Sequence, residues 1–183
     1  NQLTVPVNDT STTFDFVNPL NLLAPVLHRY YYQDPTANNS FVDVGRSLQC
    51  YTDIPPGTPI ACANGTTITA AQARQIQADD PAHADYLIQL DVDMILDTYA
   101  NCQQGFQPKC FFSMANSADG LLDTHTQLPY LLTSDDNNAR CIIIDINDTS
   151  CAVLYATRHI PSHTDIMWDY DRSPINSPRR FPS

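Results

Sequence analysis

Apolar and polar positions recur along this chain in two rhythms, one of period two and one near 3.6, and each predicts a different kind of element. Residues 1–17 (NQLTVPVNDTSTTFDFV) are rich in Thr and Val and alternate at Thr13-Phe14-Asp15-Phe16. They read as an extended arm, and Pro6 confines any strand there to a sheet edge because it has no N–H for a ladder. Asn18-Pro19 then pairs a capping residue with proline at a first helical position, and Leu20, Leu23, Leu27 and Tyr30/Tyr31 follow at spacings near three and four. That pattern predicts a helix, kinked or shortened by Pro25.

Asp-Pro, Pro-Pro-Gly and Asn-Gly pairs punctuate residues 34–69, so short strands near 46–52 and 58–63 are expected between turns. Thr69 can cap a helix over 70–78, and Asp80-Pro81 repeats the cap-plus-proline signature. The run that follows, to about residue 100, places Asp85, Gln89, Asp93 and Asp97 on one i,i+4 line. Most other positions there are apolar, which predicts a central helix with a single solvent stripe. Asp91 falls about 40° from Leu87 and Ile95 on that wheel, inside the apolar arc. Further on, CIIIDIN (141–147) and CAVLYAT (151–157) form the clearest hairpin pattern, and a Pro-bearing tail from residue 161 reads as irregular. With no repeat and no linker, the expectation is one α+β domain over 1–183, with two to three helices and short antiparallel strands.

Charge narrows the partners. Nine Lys+Arg face 20 Asp+Glu, a net charge of -11, which disfavours nucleic acid and anionic membranes because both demand basic contacts. Charged residues are only 16% and hydrophobic ones 43%, so a folded core is expected rather than charge-driven disorder. Six cysteines (Cys50, Cys62, Cys102, Cys110, Cys141 and Cys151) form an even set with no C-x-x-C spacing, which predicts three disulfides in one of fifteen connectivities. Four N-x-[ST] sequons, at Asn8, Asn38, Asn64 and Asn147, predict N-linked glycans. The chain starts at Asn1 without Met and holds no apolar run near 18 residues, so it reads as mature after signal-peptide removal. These features together predict a disulfide-stapled protein that is secreted or on the cell surface.

Candidate chemistry is sparse. A buried Asp91 would be a candidate acid with a shifted pKa, or simply an anchor accepting bonds from an Arg or backbone amides. Asp93 and Asp97 read as a solvated face. His159, His163 and Asp165 (HIPSHTD) have metal-like spacing, but Pro161 blocks a helix, and in an extended chain the two histidines stand roughly 13 Å apart. Asp145-x-Asn147-x-Thr149 lacks the glycine of a calcium loop. Tyr30-Tyr31-Tyr32 and Trp168-Asp169-Tyr170 are aromatic clusters that suit core packing or, if exposed, a sugar or protein partner. No nucleophile elbow, phosphate loop, dinucleotide fingerprint or haem motif is present. Neither catalytic, cofactor-binding nor metal-ligating residues are therefore assigned, and no cofactor is expected. The sequence points to a non-enzymatic protein acting by binding, as a subunit of an extracellular assembly or a secreted interaction protein, with a protein partner or itself. The alternative is a small secreted hydrolase active in acid, using Asp91 with His125, His159 or His163.

Overall fold

The computed structural model describes residues 3–7, 10–14, 23–27, 30–34, 40–103, 111–124, 130–146 and 148–170. Strands dominate these residues, and every pairing between named strands is antiparallel. β1 (Leu3–Val7) and β2 (Thr10–Phe14) pair only with each other, as the edge-confining Pro6 requires. β3 (Leu23–Leu27) pairs with β6 (Arg46–Cys50). β4 (Tyr30–Asp34) and β5 (Ser40–Asp43) join β11 (Leu121–Asp123) and β12 (Tyr130–Leu131) in the order β12-β11-β4-β5.

The centre of the molecule is the sheet of β7 (Pro59–Cys62), β13 (Ala139–Ile146) and β14 (Thr149–Ala156), in the order β13-β14-β7. Its β-branched run suits a pleated, two-sided surface, and Asp148 turns the hairpin with φ +62°. Ala152, Leu154 and Ala156 are fully enclosed, packing with Ile54, Ile60, Phe112, Ile160, Ile166 and Trp168 into the main core. The hairpin expected over 141–157 and the two short strands expected near 46–52 and 58–63 are thus present.

A further three-stranded sheet, β8 (Thr66–Thr69), β10 (Met94–Asp97) and β9 (Leu87–Asp91), lies beside α1 (Ala70–Asp79) and α2 (Pro81–Ala84). Thr69 caps α1 through a reciprocal capping box with Gln72, as its position before an Ala/Gln run predicts. Asp80 accepts from His83 N to cap α2.

Several expectations fail here. The helix drawn from Asn18 to Tyr31 is replaced, where described, by β3 and β4. The long helix through residue 100 stops after Ala84 and becomes the β9–β10 hairpin. The α+β reading therefore gives way to a mostly antiparallel fold with few, short helices. The physical reason lies in a degenerate pattern. Asp85, Gln89, Asp93 and Asp97 are four apart, which satisfies a helix face, but the hairpin buries both of its sides. Leu87 and Ile95 pack with Ala70 and Ala73 of α1, whereas Leu90 and Leu96 join the main core, so apolar residues at both parities imitate a helix that is apolar around most of its circumference. Asp91 sits exposed at the hairpin tip, where its carboxylate accepts from Val92 N at 2.7 Å, so it is neither buried nor a candidate acid. A bulge at Leu90, with Met94 opposite Asp91 and Ile95 opposite Gln89, turns Leu90 into the core while breaking strict alternation.

The disulfide framework is also corrected. Cys50, Cys62, Cys102, Cys141 and Cys151 are all buried, and no disulfide joins any two of them; Cys110 lies outside the described residues. Cys62 and Cys151 share a small apolar cluster with Val153. Burial pushes the Cys62 thiol up to about 12, with Cys151 and Cys141 adding to the effect. Neutral buried thiols of this kind pack as small hydrophobes. Cohesion thus comes from the core rather than from covalent staples. Of the four sequons only Asn64 lies in described backbone; it is exposed, and its side-chain and main-chain oxygens accept from Asn101 Nδ2.

Candidate active site

Three segments far apart in sequence converge on one cleft of about 730 Å³. The first is the turn into β6, Val44-Gly45-Arg46, where Gly45 adopts φ +77° and no neighbouring atom stands within 4 Å of the position a Cβ would take. The second is the α2–β9–β10 region with α3 (Tyr99–Cys102), which supplies Asp85, Tyr86, Ile88, Thr98 and Tyr99. The third combines α4 (Phe111–Met114) and the loop through Asn116, Ser117 and Asp119 with Tyr170.

Hydrogen bonds tie these segments together. Asn116 Nδ2 donates to the Arg46 carbonyl at 2.8 Å, and Arg46 donates to the Cys102 carbonyl at 3.3 Å. Thr98 Oγ1 donates to the Tyr86 carbonyl at 2.8 Å and lies 3.0 Å from Ser113 Oγ. The Ala115 carbonyl accepts from both Trp168 Nε1 (3.0 Å) and Tyr170 OH (2.9 Å). Trp168 packs edge-to-face against Phe112 on one side and Tyr170 on the other, with centroids 5.4 and 4.8 Å apart. A buried ring therefore fixes Tyr170 from behind, while the half-buried phenol itself faces the cleft. Trp168-Asp169-Tyr170, singled out in the sequence, thus divides its roles between core and site.

The opposite wall is also aromatic. Tyr86 and Tyr99 meet edge-to-face at 5.3 Å, and the His83 ring stacks on Tyr99 at 4.1 Å with the planes 19° apart. His83 Nε2 lies 3.0 and 2.9 Å from the two carboxylate oxygens of Asp97, and Asp97 Oδ1 accepts from Tyr99 N at 3.0 Å. Burial pushes the Tyr86 phenol above its ordinary value; Cys102 adds to the shift, Arg46 opposes it, and Asp85 and Tyr99 add smaller contributions. Tyr86 is therefore neutral at physiological pH. Among the described residues the lining carries Asp85 and Asp119 against Arg46, so aromatic faces and net negative charge together favour a cation.

Most residues expected from the sequence to carry chemistry lie elsewhere. His159 Nε2 is 3.3 Å from Asp53 on the open surface, and Ser162 N donates to the same carboxylate at 2.8 Å. His163 stands 5.7 Å edge-on to Tyr51, and Asp165 is a buried acceptor for Ser47 and Gln49. Among the described residues no group of three His, Cys, Asp or Glu side chains is disposed to hold a metal. His125 lies outside them. Asp93 stays in solvent, whereas Asp97, expected beside it, is half-buried and paired with His83. The sequence reading missed His83, Tyr86 and Tyr99. The only local hint was a histidine just inside the Asp80-Pro81 cap, followed by tyrosines at 86 and 99.

Residues 45–171 match the SET domain, more than half of the chain, and all the cleft residues named except Val44 lie inside that segment. The chain belongs to the SET-domain family. Among solved structures it is similar to ATXR5 in complex with a mono-methylated histone H3.1, at 17% identity and a TM-score of 0.50. That likeness covers 70% of this chain and 53% of the other, so it spans about half of the ATXR5 chain's length. No curated protein matches the sequence. Family membership, with no disulfide among the described cysteines, overturns the secreted, glycosylated, non-enzymatic reading and the secreted acid hydrolase beside it. No helix among the described residues is long and apolar enough to cross a membrane.

Proposed function

We propose that the chain is a protein methyltransferase that moves a methyl group from a sulfonium donor of the S-adenosylmethionine type to an amine of a protein side chain. The observation that carries this reading is the aromatic, net-acidic cleft, which falls almost wholly within the SET segment. Both reactants are cationic or become so during transfer, which suits tyrosine faces opposed to Asp85 and Asp119. A volume of about 730 Å³ is of the size that holds a nucleoside-sized ligand together with an inserted side chain. The open space beside Gly45 lets a ligand approach the backbone closely. The ATXR5 structure, which holds a mono-methylated histone, supports a protein partner for this chain too.

In the reaction the bond from sulfur to methyl carbon breaks as the bond from amine nitrogen to that carbon forms. The sulfonium becomes a neutral thioether, and the proton the amine has shed passes to solvent. Tyr170 is placed to orient the attacking nitrogen, because its phenol is anchored to the Ala115 carbonyl and held from behind by Trp168. Tyr86 and Tyr99 provide the facing wall, whose aromatic faces suit a cationic ligand. Incubation with radiolabelled S-adenosylmethionine and histone or other basic peptides tests the assignment. Label is expected in the peptide, and Tyr170→Phe should lower the rate by about 100-fold, the scale of losing one well-placed polar group. Absence of both donor binding and transfer by the wild-type chain would overturn the reading.

A further inference from the structure

His83 takes no part in lining the cleft, yet its surroundings are more closely fixed than those of any other histidine described. Its backbone N–H caps onto Asp80 at 3.2 Å, its imidazole reaches both oxygens of Asp97, and its ring lies flat on Tyr99. Asp97 in turn accepts from Tyr99 N. One carboxylate therefore holds the histidine ring and the tyrosine backbone at once, which leaves the stack little freedom to slide. With one face covered by His83, Tyr99 can offer the cleft only its other face and its edge. Tyr86, perpendicular to it, completes a corner.

We infer that His83 is a positioning residue that sets this tyrosine corner as a charge-selective wall, so that the cleft prefers a sulfonium ligand over its neutral thioether counterpart. The inference rests on the methyltransferase reading and adds to it a determinant outside the cleft. Aromatic rings attract a cation through their faces, an attraction that decays when the ring tilts or retreats. The imidazole stack and the Asp97 bonds prevent such tilting. A methyltransferase gains from this selectivity, because the thioether product binds less well than the donor that replaces it.

The test compares binding of S-adenosylmethionine and S-adenosylhomocysteine by calorimetry in the full chain. Wild type is expected to favour the sulfonium. His83→Ala should weaken S-adenosylmethionine about fivefold, the scale of a partly desolvated cation–π contact, while S-adenosylhomocysteine changes less than twofold. His83→Phe, which keeps a stacking ring but not the Asp97 bonds, should retain at least half of the preference. Equal weakening of both ligands in His83→Ala, or wild-type behaviour of that variant, would overturn the inference. So would a His83→Phe variant with no preference at all, and this variant alone decides the matter where His83→Ala fails to fold. A wild-type chain that binds neither ligand would instead overturn the methyltransferase reading itself.

Discussion

Two histidine–carboxylate pairs in this molecule are nearly the same in chemistry and opposite in setting. His83 and Asp97 lie 2.9 Å apart with side chains 21% and 17% exposed, whereas His159 and Asp53 lie 3.3 Å apart at 54% and 64%. The first is stacked on a tyrosine and braced by a helix cap and a backbone amide. The second closes a surface turn, and solvent competes for both partners. Residue types and distances alone hardly separate them. What separates them is how much else each pair holds in place, so substitutions at the first should reach the cleft and substitutions at the second should not.

The largest effect is expected at a residue in neither pair. Gly65 passes so close to β10 that a Cβ would collide with the carbonyl of Asp97, main chain that cannot rotate aside. Gly65→Ala should therefore displace the backbone carrying Asp97 and Thr98 and destabilise the fold by about 3 kcal/mol. Thermal unfolding checks this, with a fall in Tm of roughly 10 °C expected for a chain of this size. A shift within 2 °C of wild type would show that β8 and β10 can separate at no cost, and would remove the rigid support that distinguishes the cleft pair.

Asp97→Ala comes next. It strips His83 of its partner and leaves Tyr99 N without its acceptor, so a loss of about 2 kcal/mol is expected by chemical denaturation. Weaker binding of S-adenosylmethionine should accompany it. Stability lost without any change in binding would make the pair a structural clasp and nothing more.

Some of this was legible in the sequence and some was not, for reasons tied to particular residues. The β13–β14 hairpin announced itself because Cys141–Ile146 is a β-branched run that no helix pattern imitates. The cap at Thr69 was equally plain, since Thr three residues before Gln satisfies a local rule. The stretch from Asp85 to Asp97 misled, because a hairpin buried on both sides imitates a helix apolar around most of its circumference, and the bulge at Leu90 blurred the alternation that would have told the two apart. Asp91 was the warning sign: the one acid that the helical wheel could not place sits exposed at the tip of a hairpin. The even cysteine count led outside the cell, yet evenness says nothing about proximity, and the five described thiols are buried with no disulfide among them. The site itself is built from Gly45, Tyr86, Tyr99, Asn116 and Tyr170, which come from three separate segments. Only long-range pairing brings them together, so no window along the chain displays them.

The smallest effects belong to the surface pair, where pH gives the sharpest contrast. The Asp53 carboxyl is held below its ordinary value of 3.8 chiefly by the Ser162 N–H and then by His159. A carboxylate with a lowered folded pKa favours the folded state when ionised, so its contribution is fully present above pH 3.8 and is lost as pH falls through the lower, folded value. At neutral pH Asp53→Ala should leave donor binding and methyl transfer as in wild type, and any change in Tm should be small and shrink in high salt to the part owed to the Ser162 N–H bond, since exposed ion pairs contribute little and are screened. Unfolding curves of wild type and Asp53→Ala should then converge only once the pH has fallen below that lower, folded value, where the wild-type carboxyl is protonated in both states. If Asp53→Ala instead weakened S-adenosylmethionine binding as much as Asp97→Ala does, burial and packing would not be what sets the two pairs apart, and the turn at Asp53 would have to be coupled to the cleft.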